Sequence, residues 1–308
     1  SRILETFRGG SSGGGGASLT SLGVQLLSEY ERLQAAINEV LKRPQWSVSK
    51  GTRFLGPLEH YDLLIAGSHC VGIDIIIDEL KHRNPRLKCG ILNTGSTAGL
   101  VAVALGEADV AGMHILHTET GEYNVPFIKA LGLSGKISLI RGYRRQQGLL
   151  VKRGNPKKVT SFKQLLQRDV KIVNRKLGTG TRRLFDALLQ REFPKFNWSQ
   201  AVASEKIRGY SFEVNSHTEA AEAVATGKAH VALGIRAAAE MFKLDFIRLA
   251  EESFDFAVSS DRLMKTSIRN LAVVLRSEQF KSTLAKDAPG CRATEESGAV
   301  VYPPHFDW

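Results

Sequence analysis

Three short stretches of the chain have the composition of an oxyanion site. They are Gly67-Ser68-His69, Thr94-Gly95-Ser96-Thr97 and Gly178-Thr179-Gly180-Thr181. Each follows an apolar run with strand character and opens a run with helix character. A helix N-terminus presents free N–H groups and the positive end of the dipole. Glycine permits close approach to the backbone, and Ser or Thr adds hydroxyl donors. One such turn is commonplace, because Ser and Thr also cap helices for structural reasons. Three in one chain point to a cradle for a small anion.

Other side chains are placed to join it. Arg175 and Arg182 bracket the third turn, and guanidinium grips an oxyanion with two prongs. The same residues could instead face solvent or a carboxylate. His69, His114 and the pair His217-Thr218 stand near strand ends or helix starts. They read equally as anion donors or as satisfied structural residues. Tyr143 and Arg144 fall at the expected crossover between lobes, where hinge and ligand residues often coincide. Zinc-like spacing of His, Cys and Asp is absent, so no free metal cation is expected. No Gly-x-Ser-x-Gly elbow, P-loop, His-Glu-x-x-His or Rossmann fingerprint occurs, so neither enzyme activity nor a cofactor is expected.

The positioning elements follow from periodicity. From Tyr61 onward, short apolar strands alternate with helices. Strands are expected at 63–66, 87–93, 108–114, 137–141, 148–152, 170–174, 211–214, 230–234, 246–249 and 254–257. Helices are expected at 72–82, 97–105, 125–131, 162–168 (capped by Ser161), 182–192, 218–226 and 271–284, the last with a candidate break near Ser277. Such alternation implies an α/β fold with largely parallel sheets and helices on both faces. Its length fits two lobes around a cleft, lobe I at about 60–142 and 241–308, and lobe II at about 143–240.

The first 59 residues differ. Gly9, Gly10 and Gly13–Gly16 form a glycine run that reads as a flexible linker, or as a hairpin tip between strands at 3–7 and 17–19. Leu22, Leu26, Tyr30, Leu33, Ile37 and Leu41 then recur at helical spacing, with Thr20 or Ser21 as cap and Pro44 as stop. So long a one-striped helix needs a partner, either a second copy or its own domain. Residues 45–59 form a connector. The chain starts without Met and in mid-pattern, which reads as a fragment or a processed form.

Composition sets the outer limits. The 308 residues are 43% hydrophobic and 24% charged, enough apolar content for a real core. No apolar run approaches a membrane span, and no signal peptide is evident. Three cysteines without metal spacing suggest a reduced, cytoplasmic protein. The net charge of +11 suggests an anionic partner. Residues 1–59 carry seven Lys+Arg against five Asp+Glu, whereas residues 145–240 carry eighteen against eight. The excess therefore surrounds the third turn, where it would steer a small anion.

Two resemblances add to this reading. GGSSGGGGASLTSLG (9–23) and the helix after it resemble the wing and adjoining helix of ModE-type winged-helix repressors. That resemblance implies a partial winged-helix domain over 1–44, with Arg2, Arg8 and Gly13 near DNA. It also implies a long dimerisation helix, with a homodimer through Leu22–Leu41. GSTAGLVAVALGEADVAGMH (95–114), TGEYNVPF (120–127), YRRQQGLLVKRGNP (143–156), VNRKLGTGTR (173–182) and GKAHVALGIRAAAE (227–240) resemble a two-lobed type 2 periplasmic-binding-protein-like domain. Such domains include LysR-type effector domains and TupA-type tungstate-binding proteins. This implies a molybdate or tungstate ligand surrounded by Ser68, Ser96, Thr97, Arg175, Thr179, Gly180 and Thr181. Cys70 stands where relatives would have Asp, and Thr179 where Ser is frequent. The expected function is a one-component transcriptional regulator. A regulator of another small molecule, such as an organic acid or a molybdenum-cofactor precursor, and a solute-binding protein are the alternatives.

Overall fold

A computed structural model describes residues 4–7, 16–29, 61–118, 120–196 and 198–303. The glycine run separates two short strands, β1 (Leu4–Phe7) and β2 (Gly16–Leu19), which pair antiparallel with Leu4 opposite Leu19. Of the two readings of this segment, the hairpin holds. Residues 21–29 are helical (α1), and the Thr20 hydroxyl caps them by accepting from the Gly23 amide at 3.1 Å. Arg2, Arg8, Gly13 and the rest of the 22–41 stripe from Tyr30 onward lie outside the described residues.

The main body begins with β3 (Leu63–Gly67), α2 (Val71–Arg83), β4 (Cys89–Asn93), α3 (Ser96–Ala104), β5 (Val110–Met113) and α4 (Val125–Ala130). β6 (Ile137–Val151) crosses to the second half. There follow β7 (Ile172–Arg175), α5 (Gly180–Glu192), α6 (Gln200–Lys206), β8 (Glu213–Val214), α7 (His217–Ala225), β9 (Val231–Ile235) and α8 (Arg236–Met241). β10 (Asp245–Ser259) returns, and α9 (Thr266–Arg276), α10 (Glu278–Asp287), β11 (Cys291–Ala293) and β12 (Val300–Tyr302) close the first half.

The strands run in the order β4-β3-β5-β10-β6-β9-β7-β8, with β11 and β12 added to β6. β3 is parallel to β4 and β5, and β7 is parallel to β8 and β9. The joints between these groups are antiparallel, because β6 and β10 run through both halves against each other. The sheet is therefore mixed, which corrects the expectation of largely parallel pairing. Each of these strands was expected as two. The polar stretches Arg144–Gln147 and Glu251–Ser253 read as breaks, yet their backbones stay paired, with Arg145 opposite Glu252. Alternate side chains simply face the site or the rim. The expected helix at 162–168 is a single 3-10 turn, Phe162–Leu166. The break near Ser277 is real: its hydroxyl caps α10, accepting from the Phe280 amide at 3.2 Å.

Packing follows the amphipathic pattern. α9 buries Ile268, Leu271, Ala272, Val274 and Leu275 and exposes Val273. One apolar cluster fills the first half around Leu64, Leu100 and Met113, and another fills the second around Leu149, Phe185 and Val231. A third runs beneath both, from Ile73 and Ile76 to Ala220 and Ile235. α1 sits on the domain itself. Leu22 packs on the first-half cluster, and Gln25 accepts from Arg183 of the second half at 3.3 Å.

Candidate functional site

The turn after β3 is fixed by close backbone packing. Gly67 has φ of +106°, and a Cβ there would meet the Gly112 carbonyl. Its N–H donates to the Thr94 hydroxyl at 3.1 Å, which ties the first turn to the second. The Ser68 and Ser96 hydroxyls then lie 2.8 Å apart, and Ser96 Oγ accepts from the His114 amide at 3.2 Å. No side chain caps α3, whose preceding Gly95 has φ of +84°. Thr97 Oγ1 is buried with no hydrogen-bond partner among the described residues. The first half therefore offers a helix start with two buried hydroxyl residues.

The second half brings the start of α5 against this face. Gly180 packs so closely on the His114 ring that a Cβ would overlap it. Thr181 Oγ1 accepts from Gln147 Nε2 at 3.3 Å and lies 3.5 Å from His217 Nε2. Thr179 is already committed, donating to the Lys176 carbonyl at 2.8 Å and capping Arg182. Gly180→Ala is expected to pry the halves apart at His114. Overpacking of this kind costs about 1–3 kcal/mol. Urea denaturation measures it, and wild-type stability would contradict the contact.

Between the halves lies Arg145, 1% exposed. Its Nε donates to the equally buried Glu252, and its guanidinium lies 5.0 Å over the Phe254 ring. Glu252 also accepts from Gln147 at 2.9 Å and lies 3.1 Å from His114 Nδ1. Burial alone would raise the Glu252 carboxyl, but Arg145 and then His114 outweigh it and hold the group at about 2. The terminal nitrogens Nη1 and Nη2 of Arg145 have no oxygen or nitrogen partner among the described residues. Arg175 adds a second guanidinium, with Nη2 donating to the Asn215 carbonyl at 2.7 Å. Burial, then Arg175 and Arg145, push His217 well below its ordinary value. Burial likewise lowers His114, against the pull of Glu252. Both rings are neutral at pH 7 and able to donate or accept one hydrogen bond.

The remaining residues expected at the site are placed elsewhere. His69 is a third exposed and held by Asp74 at 2.9 Å. Arg144 points to the opposite strand face and donates to the Ser253 hydroxyl. Arg182 is spent on Asp186, Glu213 and the Arg175 carbonyl, 4.4 Å over the Tyr210 ring. Thr218 is exposed, whereas its neighbour His217 faces Thr181. Tyr143 is fully buried, stacked on Phe254 at 5.1 Å. Sequence reasoning missed Arg145, Gln147 and Glu252. Strand alternation through 143, 145 and 147 would have found the first two, given one continuous strand. Among the described residues no group of three or more His, Cys, Asp or Glu is arranged to hold a metal ion. Also among them, no helix is long and apolar enough to cross a membrane.

Comparison with known proteins matches this geometry to a family. Residues 77–276 match the model of the PBP superfamily domain. The chain is 33% identical over 193 residues to the uncharacterised protein YvgK of Bacillus subtilis (strain 168), covering 62% of this chain and 59% of that protein. It thus spans about three-fifths of that curated relative's length. Among solved structures, it resembles a phosphate ABC-transporter substrate-binding protein with bound phosphate from Clostridium perfringens. The TM-score is 0.53 at 15% identity, over 76% of this chain and 99% of that one. It also resembles the substrate-binding domain of a molybdenum ABC transporter from Clostridium difficile, with TM-score 0.50 at 13% identity, over 76% and 99%. A third likeness is to L-phospholactate-bound PEB3, with TM-score 0.51 at 16% identity, over 75% and 100%. At such identities these three show the fold alone. With most of the chain matched by the family model and the two-half sheet described above, the chain belongs to the PBP superfamily.

Proposed function

We propose that the cleft binds a small tetrahedral oxyanion, molybdate or tungstate, and that the protein is a cytoplasmic regulator whose DNA binding depends on that ligand. One observation carries the ligand reading. The uncapped start of α3, the start of α5 and Nη1 and Nη2 of Arg145, which have no hydrogen-bond partner among the described residues, are linked through His114, Glu252 and Gln147 in one buried cluster. Donors so arranged lack an acceptor, and an oxyanion supplies several. The role is binding without turnover. The site needs no resident metal or cofactor for that role.

The regulator reading is supported by the N-terminal segment. The β1–β2 hairpin fits the wing of a winged helix, and α1 touches both halves, through Leu22 and through Gln25, which accepts from Arg183. A ligand that favours the closed arrangement would thereby bias the position of α1. Val24 and Leu27 remain exposed on α1, a face suited to a second copy. A second reading, an organic acid in the same cleft, is favoured by the stacked rings of His114, Phe254 and Tyr143. Thermal denaturation separates the two. Tungstate or molybdate is expected to raise the midpoint as their concentration passes the dissociation constant. No shift with either anion, alongside a shift with a carboxylic acid, would transfer the site to the second reading.

A further inference from the structure

We propose that the end of the second half remote from the cleft binds duplex DNA through its phosphate backbone, at a surface separate from the hairpin. Strand register gathers six exposed cations there: Lys152, Arg153, Lys158, Arg208, Lys228 and Lys243. Val151, the last residue of β6, is opposite Val231 of β9 and Asp245 of β10, and Val231 is opposite Ile172 of β7. Four strand ends therefore meet at one end of the sheet. Lys152 and Arg153 leave β6 at that end, Lys228 shortly precedes β9, and Lys243 shortly precedes β10. The Arg208 carbonyl accepts from the Ile172 amide at 2.8 Å, which fixes Arg208 beside the start of β7. The loop that carries Lys158 folds over the same end. Its Gly154 amide donates to Asp245 at 2.9 Å, and the Asn155 side chain bonds both backbone groups of Val159 at 2.7 and 3.0 Å.

These charges are uncommitted. None of the six side chains forms an ion pair, hydrogen bond or ring contact with a described residue. Neighbouring charges are already engaged. Lys157 pairs with Asp169 at 2.9 Å, and Lys171 Nζ lies 5.3 Å over the Phe212 ring. Two of the six also stand where lysine is an unfavourable choice. Lys158 and Lys243 have φ of +51° and +55°, the left-handed region that glycine enters without strain. The chain keeps a cation at both positions despite that strain, a pattern found at functional surfaces.

The cleft does not account for this charge. β7 leads from this end to Arg175 and the third turn, a strand length of about 13 Å. The screening length at physiological salt is about 8 Å, so these cations act weakly on a ligand at the start of α5. They suit an anion too large for the cleft. Duplex DNA presents a dense row of phosphates, which lysine and arginine contact without reading sequence. Single strands call also for aromatic platforms on which bases stack. The large apolar side chains exposed among the described residues include no aromatic ring. Contact with the backbone of a duplex is therefore the better fit.

The experiment titrates the full chain with a duplex of about 30 base pairs and arbitrary sequence, by fluorescence anisotropy, between about 50 and 200 mM salt. Combining Lys152→Gln, Arg153→Gln, Arg208→Gln and Lys228→Gln is expected to flatten the plot of log affinity against log salt by about 3 to 4, since each phosphate contact contributes about 0.9. Lys158→Gly with Lys243→Gly should flatten it by about 2. That variant should also unfold at a midpoint no lower than wild type, because glycine relieves the strain. A lower midpoint with an unchanged slope would make both lysines structural. Arg2→Gln with Arg8→Gln tests the hairpin contact by itself. Weakened binding there, with unchanged slopes in the other two variants, overturns this face and leaves the hairpin reading standing. Flattened slopes in those two, with the hairpin variant like wild type, support the face and count against the hairpin. Failure of the wild type to bind the duplex overturns the face, and capture on phosphatidylserine vesicles instead would reassign its cations to a membrane surface.

Discussion

Arg145→Met is expected to abolish anion-induced stabilisation and to destabilise the free protein as well. Two effects are separable. The first is loss of the guanidinium whose Nη1 and Nη2 have no hydrogen-bond partner among the described residues. The second is the orphaning of Glu252, which is 1% exposed and, among the described residues, keeps His114 and Gln147 as its remaining partners. Breaking a buried ion pair from one side costs about 3–5 kcal/mol, because an uncompensated charge stays buried. The double variant Arg145→Met with Glu252→Gln removes that charge and should recover most of the stability while remaining unable to bind. Chemical denaturation and tungstate titration of the three proteins distinguish the outcomes. A single variant that still binds would remove Arg145 from the site. A double variant no more stable than the single would show that Glu252 is not the cost.

The second large effect concerns pH. The folded protein holds His217 well below 6.5, first by burial and then by the Arg175 and Arg145 charges. Burial lowers His114 as well. A histidine depressed in the folded state contributes no penalty above its unfolded pKa. As pH falls below about 6.5, the unfolded chain binds protons that the folded chain refuses, and stability declines. Glu252 does not share this window, because its carboxyl sits at about 2. The free protein is therefore expected to lose stability between pH 7 and pH 5, and His217→Gln should flatten that slope. Gln keeps a hydrogen-bonding group beside Thr181 without a titrating ring. Denaturation midpoints across pH measure it, and an identical slope in the variant would rule His217 out as the source. The proposed anion would act oppositely, since negative charge beside the imidazoles favours their protonated form.

Much of this could be read from residue order. Helix starts at Ser96 and Gly180, the capped turn at Thr20 and the break at Ser277 depend on local chemistry, and local chemistry is printed in the sequence. The alternation of short apolar strands and helices likewise announced an α/β body. Failures came where a local signal had two meanings. YRRQQG looks like a polar connector, but in the fold its backbone is paired throughout with β10. Once paired, alternation turns Arg145 inward and Arg144 outward, a one-position difference that a broken strand conceals. Arg182 differs: it stands beside the third turn, and its guanidinium pairs with Asp186 and Glu213, acids distant or hidden in the local pattern.

By itself, then, the sequence determined the helix N-termini, their glycine and hydroxyl residues and the excess of positive charge around the third turn. These depend on neighbours within a few residues. Only the tertiary structure decided which charges meet. Arg145 joins Glu252 across 107 residues, and His114 joins the same carboxylate across 138. Such pairs are set by strand register and by the packing of distant elements, which no local propensity encodes. The chemistry of the cleft thus rests on contacts whose partners are silent about each other in the chain.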